Sequence, residues 1–497
     1  MRRGTLLAVV ALVVLSGCTL PYSPDRFDDD RELGQIGDYA YDDSFAFDGE
    51  DRLTKAQLEA ATYRSMARIE VIRGLPFDHD VELEVISREE YREQRGELSN
   101  ASAFQNELWR GAFVVDGETD VNHELDDLYG DSVQGYYSSD RVVLVTDESD
   151  ELRIDRGTLV HELVHALQDQ RFGLERHGET IDERRAENGV LEGEANYVPY
   201  LYDQRCEAEW DCLADPPEPA TEIAEQPFNV GLFLSIYVPY AEGPSFVSHL
   251  HETGGWEAVD RAHDERPTTT SELIHPERYP HDPVEIALED RSSEEWELET
   301  DGDGEPRTET VGEATLFGSL WADGVIDRPI DEGGTEPVTY NYSDPATDGW
   351  AGDEFRVYEG PDNETAHVWS LAWGSDADAE AFADAYRDLL AANGAEPVDG
   401  PDATVDGADT DTYLIDDEDP FAGAYRIAVD GDRVEIVGAP AVDDFESIHP
   451  VEGEPAAPTL ERADRTAPAP ATPVSATAGN SPSAGSGPPT ATAPADG

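Results

Sequence analysis

The feature that most constrains this chain is the run His161-Glu162-Leu163-Val164-His165 inside a segment with helical periodicity. Apolar residues recur there at helical spacing, at Leu159, Val160, Leu163, Val164 and Leu167. Because residues i and i+4 share one face of a helix, both imidazoles can reach one Zn²⁺ ion at about 2.0–2.1 Å. Glu162 lies beside that face and can act as a general base on a polarised water. The pattern therefore predicts a metal site that still needs a third protein ligand.

A second helix is predicted over about 182–204, and Pro199 is expected to kink or shorten it. It contains the run Glu192-Gly-Glu-Ala-Asn-Tyr. His-Glu-x-x-His followed on a later helix by Glu-Gly-x-Ala-x-Tyr resembles the gluzincin class of zinc peptidases, and in particular its aminopeptidase branch. The resemblance implies that His161, His165 and Glu192 bind Zn²⁺ and that Glu162 is the catalytic base.

The chain departs from the aminopeptidase branch in two ways. The gap between His165 and Glu192 is longer than in familiar gluzincins, and the Gly-Ala-Met-Glu-Asn substrate motif is absent. Exopeptidase activity is therefore not implied. Glu194 remains a rival for the third ligand, although on a helix it points well away from Glu192. Asn196 lies four residues after Glu192 and is either a hydrogen-bond partner of a zinc-bound histidine or a solvated or capping residue.

The region after the second helix also contains stretches that resemble gluzincin-like proteins. Tyr-x-Glu-Gly begins at Tyr240, and Ile-His-Pro-Glu includes His275. Both resemble segments of exported metal-dependent proteins, including uncharacterised haloarchaeal surface lipoproteins. Tyr240, His251 and His275 are candidates for stabilising an oxyanion, with aromatic packing and capped turns as the alternative for each.

Acidic residues are spread along the whole chain rather than gathered in one tail. The formal net charge is −78 over 497 residues, and Lys55 is the only lysine. Such a uniform carboxylate coat is typical of proteins that work in near-saturating salt, where charge repulsion is strongly screened. We expect a halophilic source, and we do not expect nucleic acid as a partner because the electrostatic term would be repulsive.

The N-terminus has the pattern of an export signal. Arg2 and Arg3 precede an apolar run over 6–15, and Leu-Ser-Gly-Cys follows with its cysteine at Cys18. We interpret Cys18 as the lipidated first residue of the mature chain, with an ordinary signal peptide as the alternative. The protein is thus expected at the extracellular face of the membrane. Cys206 and Cys212 are then predicted to form a small disulfide loop.

The remaining sequence predicts an α+β protein with two folded units. The predicted segments are a lipoprotein signal peptide (1–18), a disordered acidic tether (19–50), a gluzincin-like metallopeptidase domain with paired zinc-binding helices (51–290), an acidic linker (291–309), a small α+β domain (310–450) and a disordered Pro/Ala/Thr/Ser-rich tail (451–497).

The function predicted from these features is zinc-assisted hydrolysis of peptide bonds in a peptide or protein substrate by a membrane-anchored protein. One alternative is a non-catalytic surface lipoprotein that retains the site as a structural metal clip. Another is a solute-binding lipoprotein, which would require repeated parallel βαβ units that the sequence does not suggest.

Overall fold

A computed structural model describes residues 24–450, apart from 29, 46, 48–52, 97, 147–154, 215–227 and 399–408. The predicted signal peptide with Cys18 and the predicted tail at 451–497 lie outside the described residues. Within the described part, no helix has both the length and the apolar character needed to cross a bilayer. The chain is a mixed α+β protein with a helical half followed by a half built on one large sheet.

The α-helices of the described residues are α1 (Lys55–Arg73), α2 (Arg88–Arg95), α3 (Ala103–Gly111), α4 (Val121–Ser132), α5 (Arg156–Arg171), α6 (Ile181–Ala208), α7 (Val230–Ala241), α8 (Gly243–Gly254), α9 (Trp256–Asp264), α10 (Thr270–Ile274), α11 (Glu313–Ala322), α12 (Asp376–Ala392) and α13 (Phe445–Ile448).

The strands of the described residues are β1 (Gln35–Ile36), β2 (Tyr39–Ala40), β3 (Glu82–Ser87), β4 (Gly135–Ser138), β5 (Arg141–Thr146), β6 (Glu297–Leu298), β7 (Thr308–Glu309), β8 (Trp350–Glu359), β9 (Thr365–Trp373), β10 (Glu396–Pro397), β11 (Asp409–Ile415), β12 (Gly423–Asp430) and β13 (Arg433–Ala439).

The helical half is organised around α5 and α6, which carry the predicted site. The Asp155 side chain caps α5 by accepting from the Thr158 N–H at 2.7 Å, and the helix ends before Gly173, whose φ is +76°. α6 begins with a capping box formed by Thr180 and Glu183, and it continues through Pro199 for 28 residues. The two helices pack with α1 and the sheet β3-β5-β4 around one apolar core.

Helix α8 crosses α6 at a contact that only glycine allows. A Cβ atom on Gly193 would lie 2.3 Å from the Gly243 carbonyl oxygen, and one on Gly243 would lie 2.5 Å from the Gly189 carbonyl oxygen. Both obstacles are main-chain atoms, so a side chain could fit only if a helix moved. The contact fixes the part of α6 that carries Glu192 and Glu194.

The second half is an antiparallel sheet in the order β10-β11-β12-β13-β9-β8-β6, with β7 also paired to β8. Helix α12 packs on it through apolar residues such as Phe382 and Tyr386. Phe113, in the loop after α3, stacks on Phe421 with ring centroids 4.8 Å apart and meets Tyr386 edge to face. The large sheet and helices α3, α7 and α11 thus share one continuous core.

Two predicted boundaries differ from this architecture. Residues 291–309 were expected to be a linker, but they supply β6 and β7 to the large sheet. Residues 19–50 were expected to be a disordered tether, but the part over 24–45 packs against α1. There Arg31 forms an ion pair with buried Glu70, and the Gly34 N–H donates to Glu70 Oε2 at 2.9 Å. Individual polar contacts of this kind leave no apolar periodicity in a sequence.

Candidate metal centre

The helices α5 and α6 bring His161, His165 and Glu192 together. The Nε2 atoms of the two histidines are 3.2 Å apart, and each lies 3.2 Å from Glu192 Oε2. The carboxylate is 3% exposed, whereas each imidazole is 12% exposed. Three ligand atoms from residues 161, 165 and 192 therefore converge at one point, and the histidines are less deeply buried than the carboxylate.

His161, His165 and Glu192, here called the triad, match the donor set that the resemblance implies for Zn²⁺. For a tetrahedral ion with bonds of about 2.0–2.1 Å, ligand atoms are separated by roughly 3.3 Å. The 3.2 Å sides of this triangle agree with that spacing. Glu192 Oε2 is buried, and the two histidine Nε2 atoms at 3.2 Å are the polar groups that face it. A cation at the centre of the triangle would satisfy all three atoms.

The carboxylate and the imidazoles of the triad stabilise each other's charged forms. Burial opposes the charged form of Glu192, but the neighbouring His165 and His161 outweigh it and hold the pKa of the carboxyl well below its usual range. Burial also disfavours the imidazolium of His165, yet the Glu192 charge and contact raise the pKa of His165 to about 9. Without a metal, the carboxylate thus favours a proton on His165.

Glu162 lies next to the triad on α5. Its side chain is buried, and its Oε2 has no hydrogen-bond partner. Burial raises the pKa of Glu162, while the two histidines oppose that shift. A carboxylate with a raised pKa beside a metal site can accept and return a proton near neutral pH. Glu162 also faces β4, because a Cβ atom on Gly135 would lie 3.3 Å from Glu162 Cγ.

A chain of hydrogen bonds holds the ring of His165 from behind. Its Nδ1 lies 2.8 Å from Gln168 Oε1, and Gln168 Nε2 donates to Glu194 Oε2 at 2.9 Å. The same amide donates to the Leu191 carbonyl at 2.9 Å. Because Gln168 accepts at Nδ1, it favours the tautomer that leaves Nε2 free to bind a metal.

Glu194, the rival ligand, points away from the triad into a buried ion-pair network. It pairs with Arg73 through one oxygen, and His263 Nε2 lies 2.6 Å from the other. Arg73 also pairs with Asp260 at 2.6 Å. Burial opposes ionisation, but Arg73 and His263 hold the pKa of Glu194 well below its usual range. Glu194 therefore contacts Gln168, which holds His165, and its own carboxylate lies outside the group of His161, His165 and Glu192.

Asn196 was expected either to hydrogen-bond a zinc-bound histidine or to be a solvated or capping residue. Its Nδ2 donates to the main-chain carbonyl of Glu192 at 2.8 Å, a local contact within α6. The role predicted for Asn196 is taken by Gln168, which lies on α5 three residues after His165. This spacing also places both residues on one helix face, so the sequence contained a signal for it.

The three oxyanion candidates occupy different places. Tyr240 is buried and stacks on His161, with ring centroids 6.4 Å apart and planes 14° from parallel. His251 lies in an aromatic cluster, where its Nδ1 is 3.1 Å from the Tyr197 hydroxyl. His275 pairs with Glu313 at 2.9 Å in a separate cluster of residues. Of the three, Tyr240 is the one placed against the triad.

Cys206 and Cys212 form a disulfide at the end of α6, with Cα atoms 5.6 Å apart. Buried Arg68 lies beside it and donates to the Asp211 carbonyl at 2.9 Å and to the Tyr202 hydroxyl at 3.0 Å. The loop thus fixes the C-terminal end of the helix that carries Glu192.

Comparison with known proteins adds one match. Residues 297–449, which include the large sheet and α12, match a domain family of unknown function, DUF8575. That region covers less than a third of the chain and leaves out α5 and α6. A search of curated proteins gave no significant match, and neither did a search of solved structures.

Proposed function

We propose that this protein is a gluzincin-like zinc peptidase that hydrolyses peptide bonds. The observation that carries the proposal is the convergence of His161, His165 and Glu192 on one point, with the buried carboxylate of Glu162 beside it. Two imidazoles and one carboxylate are the donor set of a catalytic zinc ion that keeps a fourth position open. Zn²⁺ bound there would act as a Lewis acid that polarises a water molecule and the scissile carbonyl.

Glu162 supplies the proton transfer. Its buried Oε2 has no other hydrogen-bond partner, so it is available to take a proton from the attacking water. Its raised pKa keeps that proton long enough to pass it to the leaving amine. The carboxylate of Glu192, 3.2 Å from both imidazoles, would offset part of the positive charge of an ion bound there.

Strand β4 offers a place for the substrate. Among the described residues, it is one of the two edge strands in the sheet order β3-β5-β4. At Gly135 its main chain passes so close to α5 that a Cβ atom would lie 2.8 Å from Thr158 Cγ2 and 3.3 Å from Glu162 Cγ. An extended peptide that pairs with an edge strand places its carbonyls in line with that strand. A peptide added to β4 would therefore run past Glu162.

A structural metal clip is the alternative role for the triad. A closed structural zinc site uses four protein ligands. In the described part of the chain, the cluster at residues 161, 165 and 192 offers three ligand residues, and the imidazoles are partly exposed. This geometry favours the peptidase.

The test measures zinc content and hydrolysis of an unstructured protein substrate at molar KCl. Glu162→Gln is expected to keep the zinc bound by His161, His165 and Glu192 and to lose about 10²- to 10⁴-fold in hydrolysis rate, which is the usual contribution of a general base. Glu192→Gln is expected to lose that zinc and, with it, the activity. Glu207→Gln, an exposed position on the same helix as Glu192, is the matched control and should change neither.

Two results would contradict the proposal. Unchanged hydrolysis in Glu162→Gln would exclude the base, and unchanged zinc in Glu192→Gln would exclude the ligand. A wild type that binds zinc tightly without hydrolysing any peptide, in salt where it is folded, would favour the clip.

We also propose attachment to the outer membrane face through Cys18 and activity in concentrated salt. The cysteine at the end of the export signal and the net charge of −78 support these two proposals. Cys18→Ser should release the protein from membranes into the medium, and continued membrane attachment of that variant would contradict lipidation.

A further inference from the structure

His275, Glu313 and Asp348 form a second cluster of metal-ligating side chains away from the α5–α6 triad. His275 Nε2 lies 2.9 Å from Glu313 Oε1 and 3.7 Å from Asp348 Oδ1. One ligand atom from each residue lies within 4.8 Å of the other two. They come from the end of α10, the first turn of α11 and the loop before β8.

The cluster contains a buried carboxylate oxygen without a hydrogen-bond partner. The side chain of Glu313 is completely buried, and its Oε2 has no hydrogen-bond partner. The closest cation to that oxygen is Arg278, whose Nη1 is 4.0 Å away and is engaged by Ser271 Oγ at 3.1 Å. A buried carboxylate oxygen left unpaired in this way is costly unless a cation approaches it.

Asp348 connects the cluster to solvent. It is 37% exposed and lines a cavity of about 400 Å³, together with residues that include Arg278 and His281. Ser343 Oγ donates to Asp348 Oδ1 at 2.9 Å and so fixes the carboxylate. Asp348 is thus the member of the cluster that an ion would meet first from this cavity, with water molecules as its remaining ligands.

The cluster offers a cation two carboxylate charges, those of Glu313 and Asp348. Arg278 offsets one of these charges. We expect the affinity of the cluster to be lower than that of the triad, because a guanidinium so close to Glu313 repels a second cation.

We propose that His275, Glu313 and Asp348 bind a second divalent cation, of the Zn²⁺ or Mn²⁺ class that accepts one imidazole and two carboxylates. Glu313 and Asp348 belong to the region that matches DUF8575, whereas His275 does not. Through α10 the histidine is tied to α6, because Thr270 N–H donates to Asp182 at 3.1 Å. The cation would join the large-sheet half to the helix that carries Glu192.

The experiment counts tightly bound Zn²⁺ in full-length protein, at molar KCl to suppress weak binding to surface carboxylates and against a chelator of known affinity. We expect two equivalents in the wild type, one in His275→Asn, one in Glu192→Gln and none in the double variant. His281→Asn is the matched control, because His281 lines the same cavity without belonging to the cluster, and it should keep two.

One equivalent in the wild type that persists in His275→Asn and is lost in Glu192→Gln would overturn the second site while leaving the first intact. The reverse pattern would support the second site and count against the triad. If His275→Asn does not fold, Asp348→Asn serves instead, because it can still accept from Ser343. Two equivalents retained in Asp348→Asn would overturn the proposal.

Discussion

The substitution Glu194→Gln separates the two glutamates of α6. Three donors converge on the Glu194 carboxylate: Arg73 on Oε1, and His263 and Gln168 on Oε2, at 2.6 Å and 2.9 Å for the latter two. A glutamine has a single acceptor oxygen, and its NH₂ group would face at least one of these donors. The variant therefore keeps the volume of the side chain and removes both the charge and one acceptor.

The expected loss in the free energy of unfolding follows from the burial of the ion pair between Glu194 and Arg73. Glu194 is 1% exposed and Arg73 is fully buried. A buried donor left without a partner costs about 1–3 kcal/mol, and removing one member of a buried ion pair costs about 3–5 kcal/mol in all. For a protein of this size we expect the melting temperature to fall by about 3–5 °C. Zinc content at saturating metal should remain unchanged, because Glu194 does not face the triad.

Thermal unfolding of the metal-free protein at molar KCl measures the stability loss, and elemental analysis measures the zinc. Glu207→Gln should shift the free energy of unfolding by less than about 0.5 kcal/mol, since it is exposed on the same helix. Loss of zinc from Glu194→Gln at unchanged stability would make Glu194 the ligand and would contradict the assignment of Glu192.

Three further predictions concern the same helices. Gly193→Ala should destabilise the fold by about 1–3 kcal/mol in thermal unfolding, because its Cβ would lie 2.3 Å from a main-chain oxygen of α8. Gly231→Ala, whose Cβ meets nothing closer than 3.5 Å, should be neutral or stabilising, and equal losses in both would contradict the contact. Gln168→Leu should weaken zinc binding by about 10- to 100-fold in chelator competition, because the ring of His165 loses its support; unchanged affinity would count against this. Zinc binding should tighten about tenfold per pH unit up to about pH 9, because the metal must displace the proton that Glu192 holds on His165. A pH-independent dissociation constant between pH 7 and 9 would show that this proton is absent.

The local part of the site could be predicted from sequence because it depends on helix periodicity alone. The spacing of His161 and His165 fixes both side chains on one face of α5, and the second helix was expected over 182–204 against the observed Ile181–Ala208. The choice between Glu192 and Glu194 could not be made in this way. It depends on Arg73 and His263, which lie 121 and 69 residues from Glu194 in sequence and meet it only in the folded chain.

The predicted linker over 291–309 and the predicted division into two separate folded units were wrong for a related reason. Strands β6 and β7 are two residues long, so they show no alternation that could separate them from a polar linker. The shared core escaped prediction because the contacts of Phe113 with Phe421 and Tyr386 join segments about 300 residues apart. Composition describes each segment by itself and carries no information on such contacts.

The packing of residues 24–45 against α1 bears on how far the protein can reach from a bilayer. Five residues, 19–23, separate Cys18 from the first described residue. Even fully extended, five residues span roughly 17 Å. In a protein anchored at Cys18, the folded domain would therefore lie close to the lipid headgroups, because no long flexible linker would separate it from the membrane. If the proposed peptidase activity is correct, its substrates would then be chains that emerge from, or lie along, the same membrane surface.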